Sequence, residues 1–101
     1  MLPVVWTSQS KRDYREIIEY LDEHSPKAAD RFADAIALKT RLLSTSPRMG
    51  RARNELHPGL RSTVVGKYLL FYRIGSTAVE ILRILDGRRD LTTIEFESDD
   101  P

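Results

Sequence analysis

Apolar residues recur along this chain in two distinct periods, and each period predicts a different kind of element. Val4-Val5-Trp6 is a short β-rich run bounded by Pro3 and Ser8, which predicts a first strand. Tyr14, Ile17, Ile18 and Leu21 then follow at helical spacing, with Arg12, Arg15, Glu16, Glu19 and Glu23 opposite. Ser8 or Ser10 suits the cap of this helix, and Asp13 falls in its first turn, where the dipole favours an acid. Ser25-Pro26 punctuates as N-cap and first helical residue of a second helix, which runs to about Ser44. Its apolar face holds Ala29, Phe32, Ala33, Ile36 and Leu43, and Leu38 and Leu42 widen the stripe. Two helices joined this closely predict an antiparallel hairpin.

After Ser44-Thr45-Ser46-Pro47 the period changes. Arg48 to Pro58 is a polar, basic stretch with Gly50 and Pro58-Gly59 as turn signals. Leu60–Val65, Tyr68–Ile74 and Ala78–Leu85 are β-rich runs joined by Gly66-Lys67 and Gly75-Ser76-Thr77. Connections this short predict an antiparallel meander. Gly50, Gly59, Gly66 and Gly87 read as backbone punctuation, and Trp6 as a core residue or one partly buried beside a helix. Leu91 to Pro101 fits either a short extra strand or a frayed tail, and its acids argue against a core role. The order is β-α-α-β-β-β, an α+β fold with the helical hairpin on one face of a mainly antiparallel sheet. The pattern leaves open which edge of the meander receives the first strand. The expected organisation is one domain over residues 1–94 with an acidic tail over 95–101.

Composition narrows the function classes. A chain of 101 residues supports one modest core. It has no cysteine, which excludes disulfides, thiol chemistry and zinc held by thiolates, and suits the cytoplasm. No stretch reads as a signal peptide or approaches the ~20 apolar residues of a membrane span. The net charge of +1 conceals a lopsided layout. Residues 48–73 hold Arg48, Arg51, Arg53, Arg61, Lys67 and Arg73 against one acid, Glu55, whereas residues 94–101 hold four acids and no base. A basic middle on a near-neutral chain points to a local anionic partner rather than diffuse or sequence-specific binding of nucleic acid.

Several segments, taken in order, carry a family likeness. They are Trp6 after its strand, Ser25-Pro26-Lys27-Ala28-Ala29, Pro47-Arg48-Met49-Gly50-Arg51-Ala52-Arg53 and Glu55-Leu56-His57-Pro58-Gly59-Leu60-Arg61-Ser62. Val65–Arg73 and Val79–Leu91 follow. With these the chain resembles the ParE toxins of the RelE/ParE superfamily over nearly its whole length. The resemblance implies a toxin of a type II toxin–antitoxin system, of plasmid-stabilising type. It would inhibit DNA gyrase, arrest growth and be neutralised by direct binding of a cognate antitoxin, ParD-like or other. Asp86 stands where many ParE-like chains have His.

Two alternatives accompany this reading: a RelE-like ribosome-dependent mRNA endonuclease, and a decayed toxin that only binds its antitoxin. Cleaving RNA needs an acid–base pair and cations for the phosphorane. The superfamily's nucleases place such groups on the middle strands and just after the last one, commonly with a Tyr or His. Here Asp86–Phe96 contains Arg88 and Arg89 but no His, Tyr or Lys. His24 fits a helix C-terminus, His57 a turn, and Tyr68 and Tyr72 share one side of a strand facing the helices. The reading is therefore a non-enzymatic toxin, with no metal or cofactor implied. Arg83, Arg88 and Arg89 are the candidate target contacts. Arg48, Arg51, Arg53, Arg61 and Arg73 are the candidate antitoxin contacts, suited to bidentate pairing with an acidic tail.

Overall fold

Val4–Trp6 forms strand β1, and the chain turns into a helix at the next residue. In the computed structural model, which describes residues 1–99, Thr7 is the N-cap of α1 (Ser8–His24), its Oγ1 accepting from the Ser10 N–H at 3.1 Å. Ser8 and Ser10, the expected caps, both lie inside the helix because the backbone leaves extended geometry at Thr7. Asp13 is correspondingly beyond the first turn, and it is buried. Ser25 ends α1 and caps α2 (Pro26–Thr45), with Pro26 at the helix start as expected.

The remaining strands are β2 (Arg51–Ala52), β3 (Leu60–Val65), β4 (Tyr68–Ile74) and β5 (Val79–Asp86). The sheet order is β1-β5-β4-β3-β2, antiparallel except for the parallel β1–β5 pair. The first strand therefore joins the last-run edge. Strand β2 lies within the stretch expected to be loop. It exists because Arg61 and Tyr72 fasten the preceding turn to the sheet. The Tyr72 hydroxyl donates to the Pro47 carbonyl at 2.7 Å and accepts from the Gly50 N–H at 2.9 Å. Arg61 donates to the carbonyl of Gly50 at 2.7 Å and to that of Arg48 at 3.3 Å.

The helical hairpin covers one face of the sheet. Phe32, Ile36 and Leu43 of α2 bury against Val65, Tyr68, Leu70, Tyr72, Val79, Ile81 and Ile84. Tyr14, Ile17, Ile18 and Leu21 of α1 are only partly buried against this core. Leu38 and Leu42, expected to widen the buried stripe of α2, are exposed instead, because at about 100° per residue they fall on the far side and flank of the helix from Phe32, Ile36 and Leu43.

β1 pairs with β5 only as far as Ile81, so the rest of the β5 edge needs other partners. Side chains at the start of α1 supply them. Thr7 Oγ1 donates to the Leu82 carbonyl at 3.3 Å, and Asp13 accepts from the Ile84 N–H at 3.0 Å.

The opposite face of the sheet carries a second apolar layer of Leu60, Phe71, Leu82, Leu85 and Phe96, flanked by Leu56, Leu69, Leu91 and Ile94. Phe96 is buried against Phe71, so the packed domain includes the segment to Asp99, and only Asp100 and Pro101 of the expected tail lie outside the described residues. Among the described residues no helix is long and apolar enough to cross a membrane.

Candidate functional site

Three surface regions gather side chains able to recognise a partner. The first is a groove of about 580 Å³ between the helices. Trp6, Tyr14, Ile18, Ala33, Ile36 and Ala37 form its apolar wall, and Lys11 and Arg15 stand on the α1 side. The small alanines of α2 leave the space, and the ring of Trp6 lines it edge-on to Tyr14 at 5.5 Å. A groove with an apolar floor and a cationic border fits an amphipathic acidic segment. Sequence reading identified the apolar stripe but missed Lys11 and Arg15 as its rim, because nothing in the pattern tells a solvated lysine from one bordering a groove.

The second region is the basic stretch after α2. The side chains of Arg48 and Arg51 are exposed and make no hydrogen bond or ion pair among the described residues. The other three predicted arginines have internal partners. Arg53 bonds Glu55 at 2.8 Å and Ser62 Oγ at 3.2 Å, and its guanidinium stands 5.7 Å from the Phe71 ring centre. Arg61 holds the turn carbonyls described above. Arg73 pairs with Glu80 at 2.5 Å.

The third region is the turn after β5. Asp86 accepts from the Arg88 backbone N–H at 2.9 Å and from its guanidinium at 3.2 and 3.1 Å. The Arg88 hydrogen bonds hold the Asp86 carboxyl at about 2, so the pair keeps both charges at neutral pH. Arg89 is exposed and borders a shallow cleft of about 190 Å³ with Tyr20, Tyr68, Ile17 and Asp86. Lys67 sits 5.6 Å from the Tyr68 ring centre. Burial, with the Asp86 charge second, raises the Tyr68 phenol above its ordinary value, so it remains a neutral hydrogen-bonding group. The cleft sets one exposed cation, Arg89, beside two tyrosine rings and the carboxylates of Glu16 and Asp86; sequence reading assigned Tyr68 to packing and gave Tyr20 no role.

Arg83, grouped by sequence with Arg88 and Arg89, is elsewhere engaged. Its guanidinium grips Asp13 at 2.7 and 3.1 Å, and both side chains are largely buried. The two histidines bind backbone carbonyls: His24 Nδ1 that of Tyr20 at 2.8 Å, and His57 Nδ1 that of Pro58 at 3.1 Å.

Comparison with known proteins places this geometry. The family model described as ParE toxin of type II toxin-antitoxin system, parDE, matches residues 4–91. The chain is 39% identical over 80 residues to Toxin ParE3 of Caulobacter vibrioides, covering 79% of this chain and 77% of that protein. It is 32% identical over 89 residues to Toxin RelE2 of the same organism, covering 88% of this chain and 99% of that one. A solved chain of the chromosomal ParDE TA system from P. aeruginosa superposes with a TM-score of 0.70, covering 85% of this chain and 96% of that chain. At 22% identity that likeness speaks for the fold. The family match runs unbroken from β1 to the turn beyond β5, and the chain belongs to the ParE toxin family of type II toxin–antitoxin systems.

Proposed function

We propose that this toxin acts in the cytoplasm by inhibiting DNA gyrase, and that a cognate antitoxin silences it by direct contact. The observation that carries the reading is the family match over residues 4–91. The groove between α1 and α2 supports the antitoxin half. An acidic amphipathic segment lays its apolar side on Trp6, Ile18 and Ile36 and sets carboxylates against Lys11 and Arg15. Such segments are commonly disordered until bound. Arg48 and Arg51 extend the same chemistry along the chain's basic stretch. Arg53, Arg61 and Arg73 contribute the shape of that surface, since their own partners already occupy them. The cleft lined by Arg89, Tyr20 and Tyr68, with Arg88 in the adjoining turn, is the proposed target contact, and Arg83 serves it indirectly by fixing α1 to β5.

A plasmid supercoiling assay with purified gyrase and antitoxin-free protein tests the reading. Inhibition or trapped cleaved plasmid that antitoxin abolishes is the expected result. Unperturbed supercoiling by a folded, antitoxin-binding sample overturns it. Growth arrest with ribosome-dependent cuts in messages would then favour the RelE-like alternative, to which the 32% identity with Toxin RelE2 lends some weight. Harmless expression would identify a decayed toxin.

A further inference from the structure

The stretch matching the family ends at Leu91, and the residues beyond it are seated on the sheet. Ile94 to Asp99 crosses the face that the helices leave open. Phe96, 5% exposed, fills a socket among Leu60, Phe71, Leu82 and Leu85, its ring centre 4.8 Å from that of Phe71. Polar contacts hold the segment on either side of this ring. Arg83 reaches the Glu95 carbonyl at 3.5 Å. Ser98 donates to Glu80, whose other oxygen binds Arg73. The Asp99 carboxylate accepts from the Ser8 N–H at 2.9 Å and from its hydroxyl at 3.2 Å, at the positive end of α1. Arg12 and Arg83 border the hollow that Glu95, Glu97 and Asp99 share.

The face thus already holds a peptide of defined chemistry, Glu95-Phe96-Glu97-Ser98-Asp99: a central aromatic residue between acids. We propose that this sheet face is a docking surface for an acidic, aromatic-bearing segment of a protein partner, and that the chain's own strap occupies it as a tethered competitor. The socket decides in favour of a peptide over a nucleic-acid strand. It is a pocket closed by leucines in which Phe71 is wholly buried, not an open platform on which bases could stack. Tethering gives the strap an effective concentration in the millimolar range, so a free segment of equal affinity loses to it. The strap has one fully buried apolar anchor, Phe96, with Ile94 partly buried beside it, and a short turn at Leu91–Thr93 joins it to the sheet. A stronger segment can therefore displace it without opening the β3–β4–β5 ladder.

The test uses a fluorescent peptide of residues 92–99 titrated into the full-length protein and its full-length Phe96→Ala variant. Phe96→Ala empties the socket but leaves its walls. The variant should bind the peptide saturably and at least ten-fold tighter than wild type, and the same peptide carrying Phe96→Ala should not bind. Asp99→Asn, which weakens the terminal anchor while leaving the apolar layer intact, should give an intermediate gain together with faster amide exchange over residues 94–99. Equal binding to wild type and Phe96→Ala would overturn the proposal. So would no binding by either variant when circular dichroism shows both folded, or a labelled single-stranded oligonucleotide binding Phe96→Ala in place of the peptide. Gyrase and antitoxin are absent from the experiment, so its outcome is independent of the function proposed above.

Discussion

The Asp13 carboxylate accepts four hydrogen bonds: one from Gln9 at 3.0 Å, two from Arg83 and one from the Ile84 backbone. Removing it strands a largely buried guanidinium and a strand N–H together. Asp13→Ala should therefore cost about 3–5 kcal/mol, the usual range for breaking one side of a buried pair, read as a lower urea midpoint. Adding Arg83→Met to that variant should recover at least half of the loss, because the unpaired charge goes with it. A cost below ~1 kcal/mol for Asp13→Ala would mean that the β5 edge finds other partners. Gly50 is a second residue whose role is local and steric. A Cβ there would overlap the Tyr72 hydroxyl and approach the Ser62 carbonyl to 2.8 Å. Gly50→Ala should destabilise by about 1–3 kcal/mol. The same change in a Tyr72→Phe background should cost less, a non-additivity that a double-mutant cycle in urea measures. Neither role was legible in the sequence. Asp13 looks like an ordinary helix acid until the fold brings Arg83 to it from 70 positions away. Gly50 looks like a turn glycine, whereas it is close approach of a tyrosine that excludes a side chain.

At the scale of elements, β3 and β4 occupy the residues of the predicted β-rich runs, and β5 is displaced by one. A run of six to eight β-rich residues between turn signals is hard to mistake, whereas the two residues of β2 are too few to form one. Its pairing depends on Arg61 and Tyr72, which act from other strands. The position of β1 was likewise beyond the pattern, since periodicity reports which side of a strand is buried and not which edge it joins. The helices show the reverse effect. The stripe of α1 was read correctly, yet it is half-buried because the alanines of α2 leave a groove beside it. That space yields a prediction at this scale. Ala37 is exposed within the groove, so Ala37→Glu should change stability by no more than ~0.5 kcal/mol. It should nevertheless weaken antitoxin binding at least ten-fold, or about 1.4 kcal/mol, by placing a like charge against an acidic segment. Titration calorimetry with the cognate antitoxin checks both the affinity and the stoichiometry. Unchanged affinity would move the docking site away from the groove.

For the whole molecule, the α+β class was legible because each helix has one apolar stripe to bury, and the β-rich runs after them supply the sheet that buries it. The second layer was not, because Phe96 lies among acids that mask it in any windowed reading of hydropathy. Glu80 ties that layer to the sheet, and its titration gives a test of how the layers are coupled. Burial pushes its carboxyl upward, but hydrogen bonds from Ser98 and Arg73, with the Arg73 charge, outweigh it and hold the group below its ordinary 4.5. A carboxylate with a depressed folded pKa contributes stability that is fully present above its unfolded value and lost as pH falls through the folded one. Acidification from 4.5 downward should therefore loosen residues 94–99 ahead of the β4–β5 pair. Hydrogen exchange, corrected for the intrinsic effect of pH, would read this as lost protection of the strap while the central strands stay protected. In Glu80→Gln the contact is already weakened at neutral pH, so the strap should exchange faster there and change less on acidification. Equal loss of protection in strap and central strands at every pH would show instead that the two layers open as one cooperative unit.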